Sequence, residues 1–344
     1  MVTEARPIPR SITANWAEVC KTCQLPPGVR FNPVSRWLMV TRACVQPMTL
    51  TAGAIAGFVA ARDPRFDLFL FALAALGIVL AHAANNMIND YFDLAEGLDT
   101  EAYPRAMYAP HPVLSGVVSK SGLAAAILVM NALDALIMVV LFMERGWPVI
   151  AFALGGLFVS VFYVALPLRF KARGLGEPSV FAIWGPLIVG GTYYSTTGHI
   201  PGEVILASIP YALLVTTVLM GKHLDKAPWD APANIKTLPV ILGDERGRAV
   251  TVGLMVAFYV VVVALVGAGI LPVWTLAVAL MLPGFKKVRA YYGQPKPEEP
   301  PGRYPLWPLW FVSIAFLHAR RAGALLVLGL ALGAMWPVYL WSGS

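Results

Sequence analysis

The sequence has little charge and almost no cysteine. Charged residues make up 13% of the 344 residues, against roughly 25% in ordinary soluble domains, whereas hydrophobic residues reach 58%. A soluble globule cannot bury that much apolar surface, and a chain so rich in aromatic and branched side chains does not stay disordered. Three cysteines are too few for a disulfide-stapled secreted scaffold. These exclusions leave an all-α polytopic membrane protein.

Nine windows of the sequence are apolar enough to cross a bilayer, which requires about 20 residues. The apolar runs are continuous and lack the alternation typical of a membrane β-barrel. The eighth window is short, and residues 304–318 could instead form an interfacial helix. We therefore predict about nine transmembrane helices. The windows are residues 37–61, 66–90, 122–143, 147–167, 178–197, 203–222, 249–270, 271–285 and 322–341.

The N-terminal part differs from the rest of the chain. Residues 1–36 have no apolar core like that of a signal peptide, so we expect a cytoplasmic or interfacial segment there and a transmembrane domain over residues 37–344. Apolar side chains recur at helical spacing in residues 11–24, which are expected to lie on the membrane surface. Cys20 and Cys23 have the spacing of half a zinc site, and the sequence offers no second half.

Lysine and arginine are distributed unequally between the two sides of the predicted membrane domain. With nine spans, the side opposite the N-terminus carries only Arg62, Arg65 and Arg145, and Arg42 lies within the first span. All other basic residues share the side of the N-terminus. Because basic loops stay in the cytoplasm, we expect a cytoplasmic N-terminus and active site in a plasma (inner) membrane protein. This orientation accounts for the net charge of +7 without a nucleic-acid partner.

Amides and carboxylates are concentrated at the end of the second predicted span. Asn86 and Asp90 are four residues apart, as are Asn89 and Asp93, so each pair shares a helix face, and Asp99 follows. A charged helix end at the interface is the alternative, but it explains neither the acidic charge nor the asparagines. Ionisable groups at membrane depth are costly and usually functional, so this segment is the leading candidate for chemistry.

A second acidic segment follows the sixth predicted span. Asp225 and Asp230 lie among Lys222, Lys226 and Lys236. Mg²⁺ prefers oxygen ligands and binds through a few carboxylates together with substrate phosphates, and nearby cations neutralise the remaining charge of a diphosphate. Two acidic segments on one side of the membrane therefore indicate a polyanion bridged by magnesium.

These segments resemble the two aspartate motifs of the UbiA-type intramembrane prenyltransferases. NDYFD at residues 89–93, followed by Asp99, is similar to the first motif, with the longer spacing of the branch that prenylates dihydroxynaphthoate in menaquinone synthesis. Asp225 and Asp230 are similar to the second motif. The resemblance covers residues 41–333. Further similar blocks are KTLPV at 236–240, GLGE at 174–177, GPL at 185–187 and GTYY at 191–194.

The resemblance implies a bundle of about nine helices around a central cavity, and a transferase. A polyprenyl group would pass from its diphosphate to an aromatic, dihydroxynaphthoate-like quinone precursor within the lipid membrane. Two Mg²⁺ ions would bridge the diphosphate between the two acidic segments. The implied catalytic and metal-binding residues are Asp90, Asp93, Asp225 and Asp230. The residues expected to bind substrate are Asn86, Asn89, Asp99, Arg42, Lys120, Arg169, Lys171, Lys222, Lys226, Lys236, Glu177 and Tyr193.

The sequence departs from the family pattern where the family has arginines near the diphosphate. Gln46 replaces the first of them, and Arg42, one helical turn earlier, is expected to reach the same site. His111 replaces the second, with Arg105 and Lys120 as candidates to compensate. The second motif is also one residue longer than usual, because four residues separate its aspartates instead of three.

Two other functions fit the same features. An intramembrane terpene cyclase of the same fold would ionise the diphosphate without an aromatic acceptor. A non-catalytic lipid- or quinone-binding subunit of a membrane complex would release no diphosphate. A transporter fits less well, because its charged sites are expected near the membrane midplane. Asp134, in the middle of the third span, is expected to be structural.

Overall fold

The computed structural model describes residues 11–25, 29–302, 304 and 306–340. These residues form helices and connecting turns without any β-strand, and one isolated bridge joins Arg173 to Lys236. The predicted all-α class is confirmed. Arg6, Arg10 and Arg303, which contribute to the predicted orientation, lie outside the described residues.

Fourteen α-helices can be traced in the described part of the chain, joined by turns, by 3-10 turns such as Val273–Met281, and by the π-helical segment Ile183–Gly190. They are α1 (Ile12–Thr22), α2 (Pro33–Val40), α3 (Gln46–Ala60), α4 (Leu68–Ala95), α5 (Pro104–Tyr108), α6 (Lys120–Arg145), α7 (Pro148–Phe162), α8 (Gly176–Ala182), α9 (Gly191–Thr197), α10 (Gly202–Asp230), α11 (Leu238–Leu242), α12 (Asp244–Gly267), α13 (Leu282–Tyr292) and α14 (Phe311–Met335).

Six helices in the described residues are long and apolar enough to cross a membrane, so the chain is a multi-span membrane protein. The other three predicted spans correspond to α7, which has 15 residues, to the continuous helical stretch 176–197, and to the 3-10 turn followed by α13. The count of nine therefore stays a prediction. The six are Ala43–Ala60, Leu68–Ala95, Lys120–Arg145, Gly202–Asp230, Asp244–Gly267 and Phe311–Met335.

Several predicted boundaries are wrong, and the errors concern the site. α4 continues to Ala95, beyond the predicted end at residue 90, and keeps the first acidic segment helical, as its spacing predicts. α10 continues to Asp230, so the second acidic segment is part of this helix and does not follow it. The last helix begins at Phe311 instead of residue 322 and absorbs most of the stretch considered for an interfacial helix. The first predicted span is interrupted at Arg42, whose φ of 53° is left-handed. Arg42 therefore lies at a helix break and not inside a span.

α10 occupies the middle of the bundle. In its most apolar window 78% of the residues are buried, whereas in the corresponding window of α6 only 11% are buried. A helix that is apolar on all sides is either enclosed by protein or exposed to lipid, so α10 is the enclosed helix and α6 faces the hydrocarbon. The central position of α10 brings its acidic end to the end of α4.

A disulfide joins the N-terminal segment to the first span. Cys23 pairs with Cys44, and Cys20 is free and exposed. In this structure Cys23 is therefore not free to bind a metal ion together with Cys20.

Candidate active site

The two acidic segments lie together at one end of the bundle. Tyr103, in the turn after α4, donates its hydroxyl to Asp230 at the end of α10. The ammonium of Lys226 lies 4.2 Å from the centroid of the Tyr103 ring, and its electrostatic partners include Asp93 and Asp99. Burial, together with the charge of Asp230, raises the pKa of Tyr103, so its hydroxyl stays protonated and remains a donor. We call this region the acidic end.

Asp90 is fully buried between two arginines. Arg105 donates to its two carboxylate oxygens at 2.9 and 3.1 Å, and Arg42 donates to the same carboxylate. A buried carboxylate needs such partners because desolvation otherwise disfavours its charge. Arg42 and Arg105 thus provide the guanidinium groups that Gln46 and His111 lack, and both substitutes were expected from the sequence.

Asp93 and its neighbours bind a second set of cations. The ammonium of Lys171 lies 2.6 and 2.7 Å from the two oxygens of Asp93. One turn further along α4, Glu96 pairs with Arg169. Lys171 and Arg169 lie in the connection after α7. The GLGE sequence at residues 174–177 follows this connection directly. This connection therefore closes over the acidic end.

His111 approaches Asp99 as a donor. Its Nδ1 accepts backbone N–H groups from Val113 and Leu114, so the ring proton of the neutral imidazole is on Nε2. That atom lies 3.3 Å from Asp99 and 3.9 Å from Asp90. Oxygen and nitrogen atoms of Asp90, Asp99 and His111 lie within 4.8 Å of one another, but a protonated Nε2 cannot be a metal ligand. His111 therefore places an N–H group beside two carboxylates without forming a hydrogen bond to either.

Two buried oxygens near the acidic end have no hydrogen-bond partner among the described residues. They are Oδ1 of Asp99 and Oδ1 of Asn89. Buried polar atoms are nearly always paired, and hard oxygen atoms of this kind are the ligands that Mg²⁺ prefers. The residues present therefore fit a divalent cation.

Asp225 has a different environment from Asp230. Its two oxygens accept the backbone N–H groups of Phe311 and Val312, at 3.0 and 2.9 Å, and the ammonium of Lys296 lies 3.6 Å away. The carboxylate thus caps the N-terminus of α14, where it satisfies free amides and complements the helix dipole. The structure does not bring Asp225 to the carboxylates of the first motif.

A cavity of about 820 Å³ leads from the acidic end into the bundle. Its polar end is lined by Arg42, Asn86, Asn89 and Lys222, and the rest of its wall is mainly apolar. A largely apolar cavity with a few convergent polar groups is typical of a small-molecule site. Asn86 also donates to the carbonyl oxygen of Thr41 at 3.3 Å.

Of the residues expected at the substrate, Tyr193 lies at the opposite end of the bundle, and two lysines are exposed. Tyr193 donates to Asp63 at 2.9 Å. Asp63 precedes α4, whose first residue, Leu68, lies about 33 Å along the helix from Asp90 at 1.5 Å per residue. Lys120 is exposed, with its ammonium 5.3 Å from the ring centroid of Tyr91. Lys236 is also exposed. The helix from 176 to 197 is continuous, so a residue 17 positions after its start reaches the opposite end.

Glu177 forms part of a buried polar cluster that the sequence only partly indicated. Nδ1 of His223 donates to Glu177 at 2.7 Å, and Nε2 lies 3.5 Å from the hydroxyl of Tyr163. Tyr163 also lines the cavity. The sequence does not indicate Tyr103 or His223 as site residues. Each has a hydrogen-bond partner more than 40 residues away, and no local sequence pattern indicates such a partner.

Replacing Glu177 by alanine is expected to lower the free energy of unfolding by about 1–3 kcal/mol, because the buried Nδ1 of His223 loses its acceptor. Thermal unfolding in detergent measures the change. Glu203→Ala is the control, since Glu203 is exposed in the first turn of α10 and should change stability by less than about 0.5 kcal/mol. Equal melting temperatures for the two variants would show that the Glu177–His223 hydrogen bond does not stabilise the fold.

Comparison with known proteins gives the same assignment from three directions. Residues 50–314 match the sequence profile of the UbiA prenyltransferase family. A Haemophilus influenzae protein named 1,4-dihydroxy-2-naphthoate octaprenyltransferase is 30% identical over 222 residues, which are 62% of this chain and 70% of that protein. A Drosophila melanogaster protein named UbiA prenyltransferase domain-containing protein 1 homolog is 28% identical over 195 residues, which are 56% of this chain and 53% of that protein. The chain thus spans about half the length of the fly protein.

Among solved structures, a UbiA homolog from Archaeoglobus fulgidus bound to GPP and Mg²⁺ superposes with a TM-score of 0.53. The superposition covers 85% of this chain and 99% of the archaeal protein, at 19% sequence identity. Identity at that level supports a common fold and carries no conclusion about ligands.

Proposed function

Because the chain belongs to the UbiA prenyltransferase family, we propose that it transfers a polyprenyl group from a polyprenyl diphosphate to an aromatic acceptor of the dihydroxynaphthoate kind. The Haemophilus influenzae relative is named for a transfer to 1,4-dihydroxy-2-naphthoate. The observation that carries the proposal is the acidic end itself. There, carboxylates of both motifs and buried cations lie close to the polar end of a cavity whose wall is mainly apolar.

Mg²⁺ fits this site through the oxygens of the first motif. Asp93, Asp99 and Asn89 would hold it, since Asp99 and Asn89 each have a buried oxygen without a partner among the described residues. The bound ion supplies positive charge that stabilises the departing diphosphate. Asp90 contributes indirectly, because it fixes the two guanidinium groups of Arg42 and Arg105 beside the same site.

Lysine and arginine side chains bind the diphosphate. The electrostatic neighbours of Lys222 are mainly cations, namely Lys226, Arg42 and Lys171. Holding like charges close together costs free energy because they repel one another. An anion with several oxygens offsets this repulsion, because it can bind all of the cations at once. These four groups therefore bind the diphosphate oxygens and stabilise the charge that develops on them as the bond to carbon breaks.

The apolar wall of the cavity protects the allylic cation. Cleavage of the carbon–oxygen bond releases the diphosphate and leaves this cation. An electron-rich ring carbon of the acceptor attacks the cation, and a base then takes the proton that the ring loses. Tyr163 and Trp184 line the cavity and present aromatic faces that stabilise a nearby cation. Exclusion of water by the bundle prevents its hydrolysis.

The proposed orientation places the acidic end and the N-terminus in the cytoplasm of a plasma membrane protein. Arg42, Arg105, Arg169 and Lys171 all lie at the acidic end, which supports the positive-inside assignment. Asp63 and Arg65 lie at the other end. A soluble, charged acceptor would then enter from the cytoplasm, while the prenyl chain remains in the lipid.

Acceptor-dependent release of diphosphate tests the proposed function. The purified full chain in lipid nanodiscs is given geranylgeranyl diphosphate and 1,4-dihydroxy-2-naphthoate, with or without Mg²⁺. We expect release that requires both Mg²⁺ and the acceptor. Release without acceptor would favour the cyclase. No release, either with or without the acceptor, would favour a non-catalytic binding subunit.

A further inference from the structure

The second acidic segment lacks the carboxylate pair that a second divalent ion needs. Asp225 and Asp230 are five positions apart on α10, and at about 100° per residue their side chains diverge by about 140°. Both oxygens of Asp225 bind the N-terminus of α14. Of the carboxylates in the described C-terminal turns of α10, only Asp230 faces the first motif. The two-ion arrangement implied by the family resemblance therefore does not fit this chain.

Lys226 lies where that pair would hold an ion. It precedes Asp230 by four positions and so shares its helix face. Its side chain is 5% exposed, and its ammonium lies 4.2 Å from the centroid of the Tyr103 ring, whose hydroxyl donates to Asp230. Its electrostatic neighbours are one cation and carboxylates of both acidic segments, namely Lys171, Asp230, Asp93 and Asp99. The buried ammonium thus places positive charge between the two acidic segments, where a bridging metal ion would place it.

Lys222 extends this positive surface toward the cavity. It lies one turn before Lys226 on the same face of α10 and lines the cavity. Arg42 and Lys171 are among its electrostatic neighbours, and Asp93 is the carboxylate among them. Near Lys222 the protein thus places more positive than negative charge, which an anionic ligand would balance.

We propose that this chain binds the diphosphate of its substrate with one divalent cation, and that the ammonium group of Lys226, assisted by Lys222, replaces a second one. The proposal deepens the proposed function and rests on it, because the ligand is the diphosphate of the prenyl donor. A lysine ammonium donates up to three hydrogen bonds but carries one charge and coordinates no water. The single ion is then held by the first motif, and α10 binds the diphosphate directly.

A count of bound metal ions tests the proposal without catalysis. Mn²⁺ serves as the probe, because the paramagnetic resonance signal of free Mn²⁺ reports how much remains unbound. The full chain in nanodiscs is titrated in the presence of saturating geranylgeranyl S-thiolodiphosphate, an analogue that does not ionise readily. We expect one Mn²⁺ per chain. Two Mn²⁺ per chain would overturn the proposal.

Lys226→Asp is the decisive variant, because it would place a carboxylate four positions before Asp230. We expect this variant to bind two Mn²⁺ per chain. Lys287→Asp makes the same exchange at an exposed position of α13 and should leave the count at one. A folded Lys226→Asp protein that still binds one ion would contradict the assigned role of Lys226.

Lys226→Met covers the case in which the aspartate variant does not fold. It should still bind one Mn²⁺ and should bind the analogue roughly 10- to 100-fold more weakly, because a charge-assisted hydrogen bond is lost. Unchanged affinity would overturn the proposal. The number of bound ions does not depend on the acceptor. A chain that binds one ion but alkylates no acceptor would contradict the proposed transferase function. A chain that alkylates the acceptor and binds two ions would contradict the single-ion site.

Discussion

Replacing Asp90 by asparagine is expected to lower the free energy of unfolding by about 3–5 kcal/mol, the cost of breaking a buried ion pair by removing one partner. The amide has nearly the same shape, so packing is preserved and the effect comes from charge. Arg105 and Arg42 would keep their guanidinium groups near the position of a lost anion. Thermal unfolding in detergent, with the same lipid content for each variant, measures the loss.

Glu96→Gln is the matched control for this variant. It makes the same acid-to-amide change one and a half turns further along α4, in the ion pair with Arg169, where both side chains are about a quarter to a third exposed. Solvent screening makes such a pair worth about 0–1 kcal/mol. If Asp90→Asn lost no more stability than Glu96→Gln, the ion pairs of Asp90 with Arg42 and Arg105 would not stabilise the fold.

Replacing Asp93 by asparagine is expected to reduce the turnover number roughly 100- to 1000-fold, the range found when one electrostatic contributor to a transition state is removed. Asp93 is less buried than Asp90, with 14% of its side chain exposed, and an asparagine oxygen still accepts from Lys171. Stability should therefore fall less than in the Asp90→Asn variant. Steady-state release of diphosphate in the presence of acceptor measures the effect.

Asp244→Asn provides the control for Asp93→Asn. Asp244 begins α12 and is exposed, with Arg248 as its partner, so removal of its charge should leave turnover within about twofold. If Asp93→Asn retained wild-type turnover, the first motif would not act on the diphosphate. A parallel fall in turnover and melting temperature would instead assign Asp93 a structural role.

The fold and much of the first motif could be predicted from the sequence because the signals are local. Apolar runs indicate spans whatever their partners are, and Asn86, Asn89, Asp90 and Asp93 lie on one continuous helix whose spacing is readable. That Arg42 and Arg105 lie beside the first motif could also be predicted, since both lie within a few residues of the positions that lack arginine.

The second motif was predicted less well because its helical phase was not known. The sixth span is predicted to end at residue 222, so the predicted elements do not give the helical phase of Asp225 and Asp230. α10 continues to Asp230, and on a helix the five-residue separation turns the two side chains apart. Pro228 did not signal this continuation, because a proline usually ends or kinks a helix.

Contacts between distant segments could not be predicted from the sequence at all. The two backbone N–H groups of α14 that bind Asp225 belong to residues 86 and 87 positions further along the chain. Tyr103 lies 127 residues from Asp230. Without a known arrangement of the helices, nothing distinguishes these residues from their neighbours. The same holds for Tyr193, whose distance from the acidic end follows from the uninterrupted course of the helix over residues 176–197.

The mass of the product tests the central claim most directly. The full chain in nanodiscs is incubated with Mg²⁺, geranylgeranyl diphosphate and 1,4-dihydroxy-2-naphthoate, and the lipid extract is analysed by mass spectrometry beside that of the Asp93→Asn variant. We predict an aromatic product that carries one geranylgeranyl group, formed by the unaltered chain and nearly absent from the variant. A cyclic hydrocarbon, or unchanged substrates with this and other aromatic acceptors, would contradict the account.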